Sequence, residues 1–383
     1  MAIWMRGTVD DREAMVLQWL SGQYTAGEVA ARFETSRTTL YQWTARYRAA
    51  GRAGLQNRPP VAATCPHKTA EAIEAQIVAV RRRYGWGPKK LRVTLQARDA
   101  RIVWPAASTI GDILARHGLL ERRPRRRTPG TPFRRKVEPV AAGDLMTVDF
   151  KGQFKTGDGA YCYPLTMMER TSRYLLACEA LRSTAYRGVW PIFVRVFQEY
   201  GVPRAMLSDN GSPFVAPRAL ARVTRLSVHL MQLGIQPVIT DPGHPEQNGA
   251  HERMHATLAK ATTRPPGRHR ADQQRRFDAF RTEYNHDRPH EALGQTPPAA
   301  HFRHTTRQYP AQPPAPDYPR HYEVRRISSS GTMKFNGVRW FVGDALAGEL
   351  VGLEPIDDGV WSLQFYRFEL ARLNERDRTG RDR

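Results

Sequence analysis

A short run at residues 244–255 (HPEQNGAHERMH) constrains the rest of the chain most strongly. Pro245 suits the first position of a helix, and apolar residues then recur at helical spacing. The predicted apolar stripe consists of Ala250, Met254, Leu258 and Ala261. Glu252 lies about 200° around a helix from Ala250. Its carboxylate is therefore expected to face away from the core, towards a cleft.

An acid in a cleft needs partners, and two aspartates upstream could supply them. Asp149 lies in a strand predicted at residues 145–150, and Asp209 follows a short apolar strand at residues 205–207. Carboxylates from two strand ends and a helix would form a cage for two divalent ions, the arrangement used for in-line phosphoryl transfer. Asp209 alone would be better explained as a residue that initiates a turn. The three acids together favour a metal site.

Sequence motifs surround all three acids. Asp149 lies in its apolar strand, residues 208–214 are SDNGSPF, and residues 244–253 are HPEQNGAHER. In this order they resemble the integrase-type catalytic core of bacterial insertion-sequence transposases, and retroviral integrases are similar. The resemblance covers roughly residues 140–300 and implies a ribonuclease-H-like α/β core with a mixed five-stranded sheet. It also implies two Mg²⁺ or Mn²⁺ ions bound by a catalytic triad of Asp149, Asp209 and Glu252.

One departure from the family pattern is the interval from Asp209 to Glu252, which is longer than in retroviral integrases. Residues 216–227 are expected to form an extra surface loop, which folding tolerates at small entropic expense. Glu246 lies closer to the family interval, but the family's glutamate follows a glycine by three positions, as Glu252 follows Gly249. Glu246 also falls in the first predicted helical turn, where the helix dipole explains an acid, whereas Glu252 is expected to gain little from the dipole. We therefore predict Glu252 as the third ligand.

Composition narrows the class of partner. A chain of 383 residues is long enough for two to four domains. Its net charge of +22 indicates a polyanionic partner, nucleic acid before an acidic membrane. Apolar runs stay well below the roughly 18 residues of a membrane helix, so we expect a cytoplasmic, nucleoid-associated protein without a membrane partner. The three cysteines form no CxxC pair, which argues against a disulfide framework or zinc site.

Residues 1–60 are predicted to form a helix-turn-helix DNA-binding domain. Thr25 and Glu28 form a capping box for its second helix, and Ser36 caps the third. An ordinary three-helix bundle used for dimerisation is the alternative. DNA binding is favoured because the exposed face of the third helix carries no acids. The candidate DNA contacts on that face are Arg37, Thr38, Thr39 and Gln42.

Residues 68–120 resemble a second helix-turn-helix domain, with a third helix that packs through Ile110, Ile113 and Leu114. Paired modules would recognise a longer DNA site than one module. Ser108 and Thr109, near the start of that helix, are the candidate DNA contacts. The alternative for the arginines at residues 81–83 is an ordinary solvated helix face.

An arginine-rich linker follows at residues 121–140. Prolines and like-charge repulsion predict an extended segment that follows the DNA backbone, and each phosphate neutralised would add to the salt dependence of binding. A passive spacer is the alternative, but a spacer has no need of eight cations. These candidate DNA contacts are Arg122, Arg123, Arg125, Arg126, Arg127, Arg134, Arg135 and Lys136.

The remaining domains are a catalytic core at residues 141–304, a Pro-rich linker at 305–321, and a small SH3-like β-barrel at 322–373, before a charged tail at 374–383. Two Asn-Gly or Asp-Gly pairs predict hairpins in the barrel. Four histidines of the core are interpreted as phosphate contacts or surface residues, because no cysteine joins them as a zinc ligand. They are His251, His255, His286 and His290.

The expected fold class is multidomain α and α/β, with N-terminal helix-turn-helix modules, a ribonuclease-H-like core and a C-terminal β-barrel. The expected function is a DNA transposase that binds terminal inverted repeats, cleaves a phosphodiester and transfers the 3′-hydroxyl to target DNA. Its partners would be double-stranded DNA, at element ends and target, and further copies of the chain, at least a dimer on paired ends. A DNA-binding regulator with a vestigial core is one alternative, which the presence of all three acids disfavours. A nuclease of the same fold is the other, which the paired DNA-binding modules disfavour.

Overall fold

A computed structural model describes the following residues: 8–57, 68–120, 143–209, 213–214, 216, 223–240 and 248–376. It divides the chain into two compact units, Met1–Ala70 and Glu71–Arg383. The arginine-rich linker contacts, Glu246 and the final residues 377–383 lie outside the described residues. Among the described residues, no helix is long and apolar enough to cross a membrane.

The described part of the first unit contains three α-helices and a short 3-10 helix, Gly51–Leu55, around a small apolar core. Thr25 and Glu28 form the predicted capping box, and the Ser36 side chain accepts a hydrogen bond from the Thr39 amide at the start of the third helix. The helices are α1 Val9–Leu20, α2 Ala26–Arg32 and α3 Arg37–Ala50. Their core contains Met15, Val16, Val29, Leu40 and Leu55. The helix-capping residues that the sequence predicted for this unit are therefore confirmed.

The second unit begins with another group of three helices. They are α4 Glu71–Tyr84, α5 Pro88–Arg98 and α6 Ala107–Arg116. The predicted packing residues Ile110, Ile113 and Leu114 are fully buried in their shared core. A surface ion pair of 3.2 Å joins Lys89 of α5 to Glu291, which lies in the segment after the last core helix.

A mixed sheet forms the centre of the second unit. Its strands are β1 Leu145–Phe150, β2 Phe154–Lys155, β3 Tyr161–Glu169, β4 Leu175–Leu181, β5 Ala205–Ser208 and β6 Gln236–Ile239. The order is β4-β3-β1-β5-β6, and the short β2 pairs with β3 beyond the end of β1. The pairs among β1, β3 and β4 are antiparallel, while β5 is parallel to both β1 and β6. This confirms the mixed sheet, with β2 as a sixth short strand.

Helices cover both faces of the sheet. They are α7 Tyr186–Tyr200, α8 Arg225–Gln232, α9 Gly249–Thr262 and α10 Arg270–Thr282. Helices α7 and α8 share one apolar core with β1 and β3, and α9 and α10 share another with β3 and β4. The expected surface loop at residues 216–227 is partly wrong, because α8 begins at Arg225 with a capping box from Thr224 and Ser227.

The C-terminal region is β-rich, but its described strands do not close into the predicted barrel. The strands are β7 Glu323–Arg326, β8 Thr332–Phe335, β9 Val338–Phe341, β10 Leu350–Asp357, β11 Val360–Phe365 and β12 Phe368–Asn374. Four of them form a sheet with the order β12-β11-β10-β7, and the described β8 pairs with β9 in a separate hairpin. Closure needs a continuous ring of strand pairing, whereas β7 and β12 are edges of an open sheet here. Both predicted hairpin turns are confirmed: Asn336-Gly337 joins β8 to β9, and Asp358-Gly359 joins β10 to β11.

Candidate active site

Two of the three acids lie at the same edge of the central sheet. Strand β1 pairs in parallel with β5, with Thr147 opposite Leu207. Asp149 lies two residues beyond Thr147, and Asp209 lies two residues beyond Leu207, directly after β5 ends. Since ligands of α/β sheets bind at the carboxyl ends of parallel strands, both aspartates are placed at the expected site.

Strand alternation decides which side of the sheet Asp149 faces. Val148 packs into the core beneath α7 and α8. Its neighbours Thr147 and Asp149 point to the opposite face, because successive side chains of a strand alternate. That face is covered by α9, the helix that carries Glu252.

Asp149 is in an unfavourable position for a charged carboxylate. Its pKa is raised to about 7, mainly by burial and further by the fields of Asp209 and Glu252, while a backbone hydrogen bond from Phe150 opposes the increase. The Asp149 side chain retains 17% of its exposure. The contributions of both other acids indicate that the three carboxylates interact electrically with one another.

Glu252 is exposed, as predicted, but the helix around it differs from the prediction. Within the described residues, α9 begins at Gly249 with Asn248 as its N-cap, so Glu252 lies in the first turn. The expectation that Glu252 gains little from the helix dipole is therefore wrong, since an acid in a first turn is stabilised by it. Pro245 is compatible with a first helical position without requiring one.

The buried face of α9 is also rotated from the predicted apolar stripe. Ala250 and Ala261 are not buried, and the buried residues of α9 are His251, Met254, Leu258 and Thr262. The stripe was predicted from apolar residues alone. Two polar residues take the buried positions because each finds a hydrogen-bond partner: Thr262 bonds to the Leu258 carbonyl, and His251 bonds to the sheet.

Two histidines connect α9 to the sheet beside Asp149. His251 Nδ1 lies 2.8 Å from Thr147 Oγ1, and His251 Nε2 lies 2.6 Å from Thr166 Oγ1. His255 Nε2 lies 2.7 Å from the same Thr166 hydroxyl. Burial holds the pKa of His251 well below its ordinary value and lowers that of His255 to about 4. Both rings are therefore neutral near pH 7.

The hydrogen count assigns the tautomers of these rings. Thr166 Oγ1 donates its single hydrogen to the Asp149 carbonyl oxygen at 3.0 Å. With that hydrogen on the carbonyl, both histidines donate from Nε2 to Thr166. His251 Nδ1 then accepts the hydrogen of Thr147 Oγ1, which lies closer to it (2.8 Å) than to the Met168 carbonyl oxygen (3.3 Å). His255 Nδ1 faces the Asp149 carboxyl at 3.8 Å. The interpretation of His251 and His255 as phosphate contacts or surface residues is therefore wrong; they position the acids.

His290 is not a surface residue either, because it retains only 8% of its exposure. The spacing of His251 and His255, one helical turn apart, was the available sequence signal for the pair. Nothing in the sequence indicated that Thr147 and Thr166 would be their partners.

The donor set of the acidic site fits a divalent ion such as Mg²⁺, which prefers hard carboxylate oxygens. The repulsion that raises the pKa of Asp149 is the interaction that a bound cation would replace by attraction. In the part of the chain that the structure describes, however, no group of three or more His, Cys, Asp or Glu side chains is close enough to hold a metal ion. The three acids interact electrostatically but do not form a closed cage.

The candidate DNA contacts are placed on exposed helix faces. Arg37, Thr38 and Gln42 are exposed on α3, while Thr39 is partly buried at its cap. On α6, Ser108 is exposed and Thr109 is partly buried. These positions are compatible with DNA contact.

Family models match most of the chain in segments. The descriptions are an integrase core domain at residues 139–245, a second integrase core model at 233–298, a helix-turn-helix domain at 11–60, a homeodomain-like domain at 39–114, and the C-terminal domain of IS481 family transposases at 322–380.

Individual relatives are distant. The chain is 23% identical over 193 residues to the Gag-Pol polyprotein of baboon endogenous virus (strain M7), covering 49% of this chain and 10% of that protein. It is similar to a solved intasome of simian T-cell lymphotropic virus in complex with PP2A regulatory subunit B56 gamma, at 14% identity and a TM-score of 0.37, covering 77% of this chain and 98% of that one. The HTLV-2 integrase catalytic core domain in complex with magnesium (trimeric form) is 11% identical, with a TM-score of 0.34, covering 43% of this chain and all of that one. The chain spans only 10–12% of the length of the curated relatives that it matches.

The matches define the class of the protein by its domains. The α/β unit matches integrase core models and has a ribonuclease-H-like fold with a mixed sheet. Helix-turn-helix and homeodomain-like domains precede it, and the C-terminal domain of a transposase family follows it. The resemblance to integrase-type transposases inferred from the sequence motifs is confirmed.

Replacing Asp149 by asparagine should change the pH dependence of stability. Folded Asp149 keeps its proton up to a pH of about 7, whereas its ordinary pKa is 3.8. The stabilisation from that proton is complete below the ordinary pKa and is lost as the pH rises through the folded pKa. Without divalent ions, the advantage of Asp149→Asn over wild type in melting temperature should therefore grow between about pH 4 and about pH 8.

Thermal denaturation followed by circular dichroism measures both proteins at each pH, and the comparison cancels the contributions of other titrating groups. A difference in melting temperature that stays constant across this range would contradict the raised pKa.

Proposed function

We propose that this protein is a DNA transposase that binds the terminal inverted repeats of its element, cleaves a phosphodiester at the element end and joins the freed 3′-hydroxyl to target DNA. The observation that supports this most is the electrostatic coupling of Asp149 to Asp209 and Glu252. It supports one site made of two acids at the carboxyl edge of the sheet and a third on α9. The domains that flank the core suit DNA recognition.

In this proposal Asp149, Asp209 and Glu252 hold two Mg²⁺ or Mn²⁺ ions. Such ions, when bound, activate the nucleophile and stabilise the leaving oxygen of an in-line displacement. Asp149 is partly buried beneath α9, while Asp209 and Glu252 are exposed. The two exposed acids leave the site open to a DNA strand.

The chain's own residues position the reacting groups. In cleavage, a water oxygen bonds to phosphorus, the bond from phosphorus to the 3′ oxygen breaks, and that oxygen receives a proton. In strand transfer, the 3′-hydroxyl attacks a target phosphorus and a target oxygen leaves. His251 and His255 remain neutral and hold α9 against β1 and β3, which keeps Glu252 and Asp149 in register during both steps.

The proposed partners follow from the reaction. Double-stranded DNA serves as both element end and target, and at least two copies of the chain are needed to hold paired ends. Such a protein acts in the cytoplasm on the nucleoid. The net charge of +22 supports the assignment through its attraction for the phosphate backbone.

Glu252→Gln should abolish Mg²⁺-dependent cleavage and strand transfer while end binding and folding stay intact, because a neutral amide is a poor ligand for the ion. The matched control is Glu246→Gln, which changes the competing glutamate of the same motif and should retain activity. The DNA that flanks the gene supplies the inverted repeats, and both variants are assayed on intact and pre-nicked ends.

An active Glu252→Gln protein beside an inactive Glu246→Gln protein would overturn the assignment of the third ligand. A wild-type protein that binds the ends but cleaves neither substrate with Mg²⁺ or Mn²⁺ would instead support the DNA-binding regulator.

Replacing Arg37 and Gln42 by alanine should reduce discrimination between an end duplex and a scrambled duplex by about 1–3 kcal/mol for each side chain that reads a base. Both side chains are exposed on the first half of α3, the part that would enter a major groove. Arg48→Ala, in the last turn of α3, is the control and should preserve discrimination. Gel-shift titration measures the affinities, and unchanged discrimination in the double variant would remove α3 as the recognition helix.

A further inference from the structure

A cavity of about 520 Å³ lies beside α9 in the second unit, and it draws its walls from four parts of the chain. Lys90 comes from α5, Arg173 from the turn between β3 and β4, and Arg253 from α9. The segment after α10 supplies the fourth part of the wall. We call this the cationic cavity and define it by Lys90, Arg173, Arg253, Arg288, His290 and Glu291.

Positive charge exceeds negative charge in this wall. Four of its side chains are cationic, and among the described residues Glu291 is the single carboxylate of the lining. Glu291 also forms an ion pair of 3.2 Å with Lys89, a residue that does not line the cavity. The cavity therefore has the charge of a site for an anion.

These cations repel one another electrostatically. The pKa of Lys90 is lowered to about 8, mainly by burial and also by the field of Arg288, while Glu291 opposes the change. Burial also lowers the pKa of Arg288, although Tyr284 and Glu283 offset part of this. An anion in the cavity would reverse the mutual repulsion of these cations.

The electrostatic field of these cations also acts on the buried ring of His290 and on the hydroxyl of Tyr284. Lys90, Arg288 and Arg173 all act on His290, and burial is the main cause that lowers its pKa to about 3. Arg288, Arg173 and Arg253 all act on Tyr284, another residue of the wall. Each of the four cations therefore acts on at least one residue of the same cavity wall.

His290 contributes no hydrogen to an anion in this cavity. Its ring N–H bonds to the Tyr284 backbone, and its buried Nε2 has no hydrogen-bond partner among the described residues. The donors of the cavity are therefore its four cationic side chains.

We propose that the cationic cavity binds a phosphate group of the DNA backbone. This inference rests on the proposed function in taking DNA as the ligand. A phosphodiester fits because four cationic side chains line one cavity, and because Arg and Lys side chains are the usual donors to phosphate oxygens.

The cavity lies beside the helix that carries Glu252. Ala250, Arg253 and Thr257 recur at helical spacing along one side of α9 and line the cavity. Glu252 directly precedes Arg253, about 100° around the helix. A phosphate in the cavity would therefore hold DNA against the helix that carries the third acid. Lys90 would join the same phosphate to the second helical group, so that end recognition and the acidic site act on one DNA molecule.

The test compares two pairs of charge-removing substitutions on the same two helices. Lys90→Gln with Arg253→Gln alters the cavity. Arg92→Gln with Lys260→Gln removes the same charge from exposed positions of α5 and α9 outside the lining. The full chain is titrated with a short fluorescein-labelled duplex of scrambled sequence in EDTA, over a series of salt concentrations, and fluorescence anisotropy is measured.

The cavity pair should weaken binding and flatten the slope of log K against log salt by about 0.9 for each phosphate that is no longer neutralised. The control pair should change the slope less, and circular dichroism should give the same melting temperature for both pairs. Equal changes of slope in the two pairs would overturn the proposal. Because EDTA prevents chemistry, failure of the proposed catalytic function does not affect this result.

A second measurement separates DNA from free phosphate. Lys90, with its lowered pKa, should react with an amine-directed reagent near neutral pH, and mass spectrometry reports the modification. The duplex should protect Lys90, and inorganic phosphate at the same phosphate concentration should not. Equal protection by inorganic phosphate, or modification of Lys90 unaffected by the duplex, would overturn the assignment to DNA.

Discussion

The hydroxyl of Thr166 joins the helix that carries Glu252 to the strand that carries Asp149. It accepts hydrogen bonds from His251 and His255 and donates to the Asp149 carbonyl. All these groups are neutral, so the junction adds no charge to a site that already holds three acids. Neutral bonds of this kind have fixed geometry and are costly to break when buried. They place α9 against the sheet without weakening the attraction of the carboxylates for a cation.

Helix α9 separates two opposite electrostatic environments. On one side, Asp149 lies among acids whose repulsion raises its pKa. On another, Arg253 and Lys90 line a cavity with an excess of cations. Each environment is unfavourable by itself, and each would be relieved by a ligand of the opposite charge. Divalent ions and DNA phosphates would be a consistent pair of such ligands, because Arg253 of the cavity directly follows Glu252 on α9.

Local patterns predicted much of this structure, and long-range contacts account for what they missed. Capping boxes, Asn-Gly turns and alternating strands depend on neighbouring residues, and they were predicted correctly. The partners of His251 lie 104 and 85 positions away in the chain, so periodicity could not reveal that this histidine is buried. For the same reason the cationic cavity, which brings Lys90 to Arg288, was invisible in the sequence. Barrel closure also depends on strand pairing between distant segments, and it was predicted wrongly.

The central claim is that three carboxylates form one cation site. The most direct measurement is the change in melting temperature of the full chain on addition of Mn²⁺, since an ion that binds only the folded state stabilises it. The account predicts a clear increase for the wild type and little or none for Asp149→Asn, because the Asp149 carboxyl is the one on which both other acids act. The same increase in both proteins would contradict it, because the ion would then bind elsewhere.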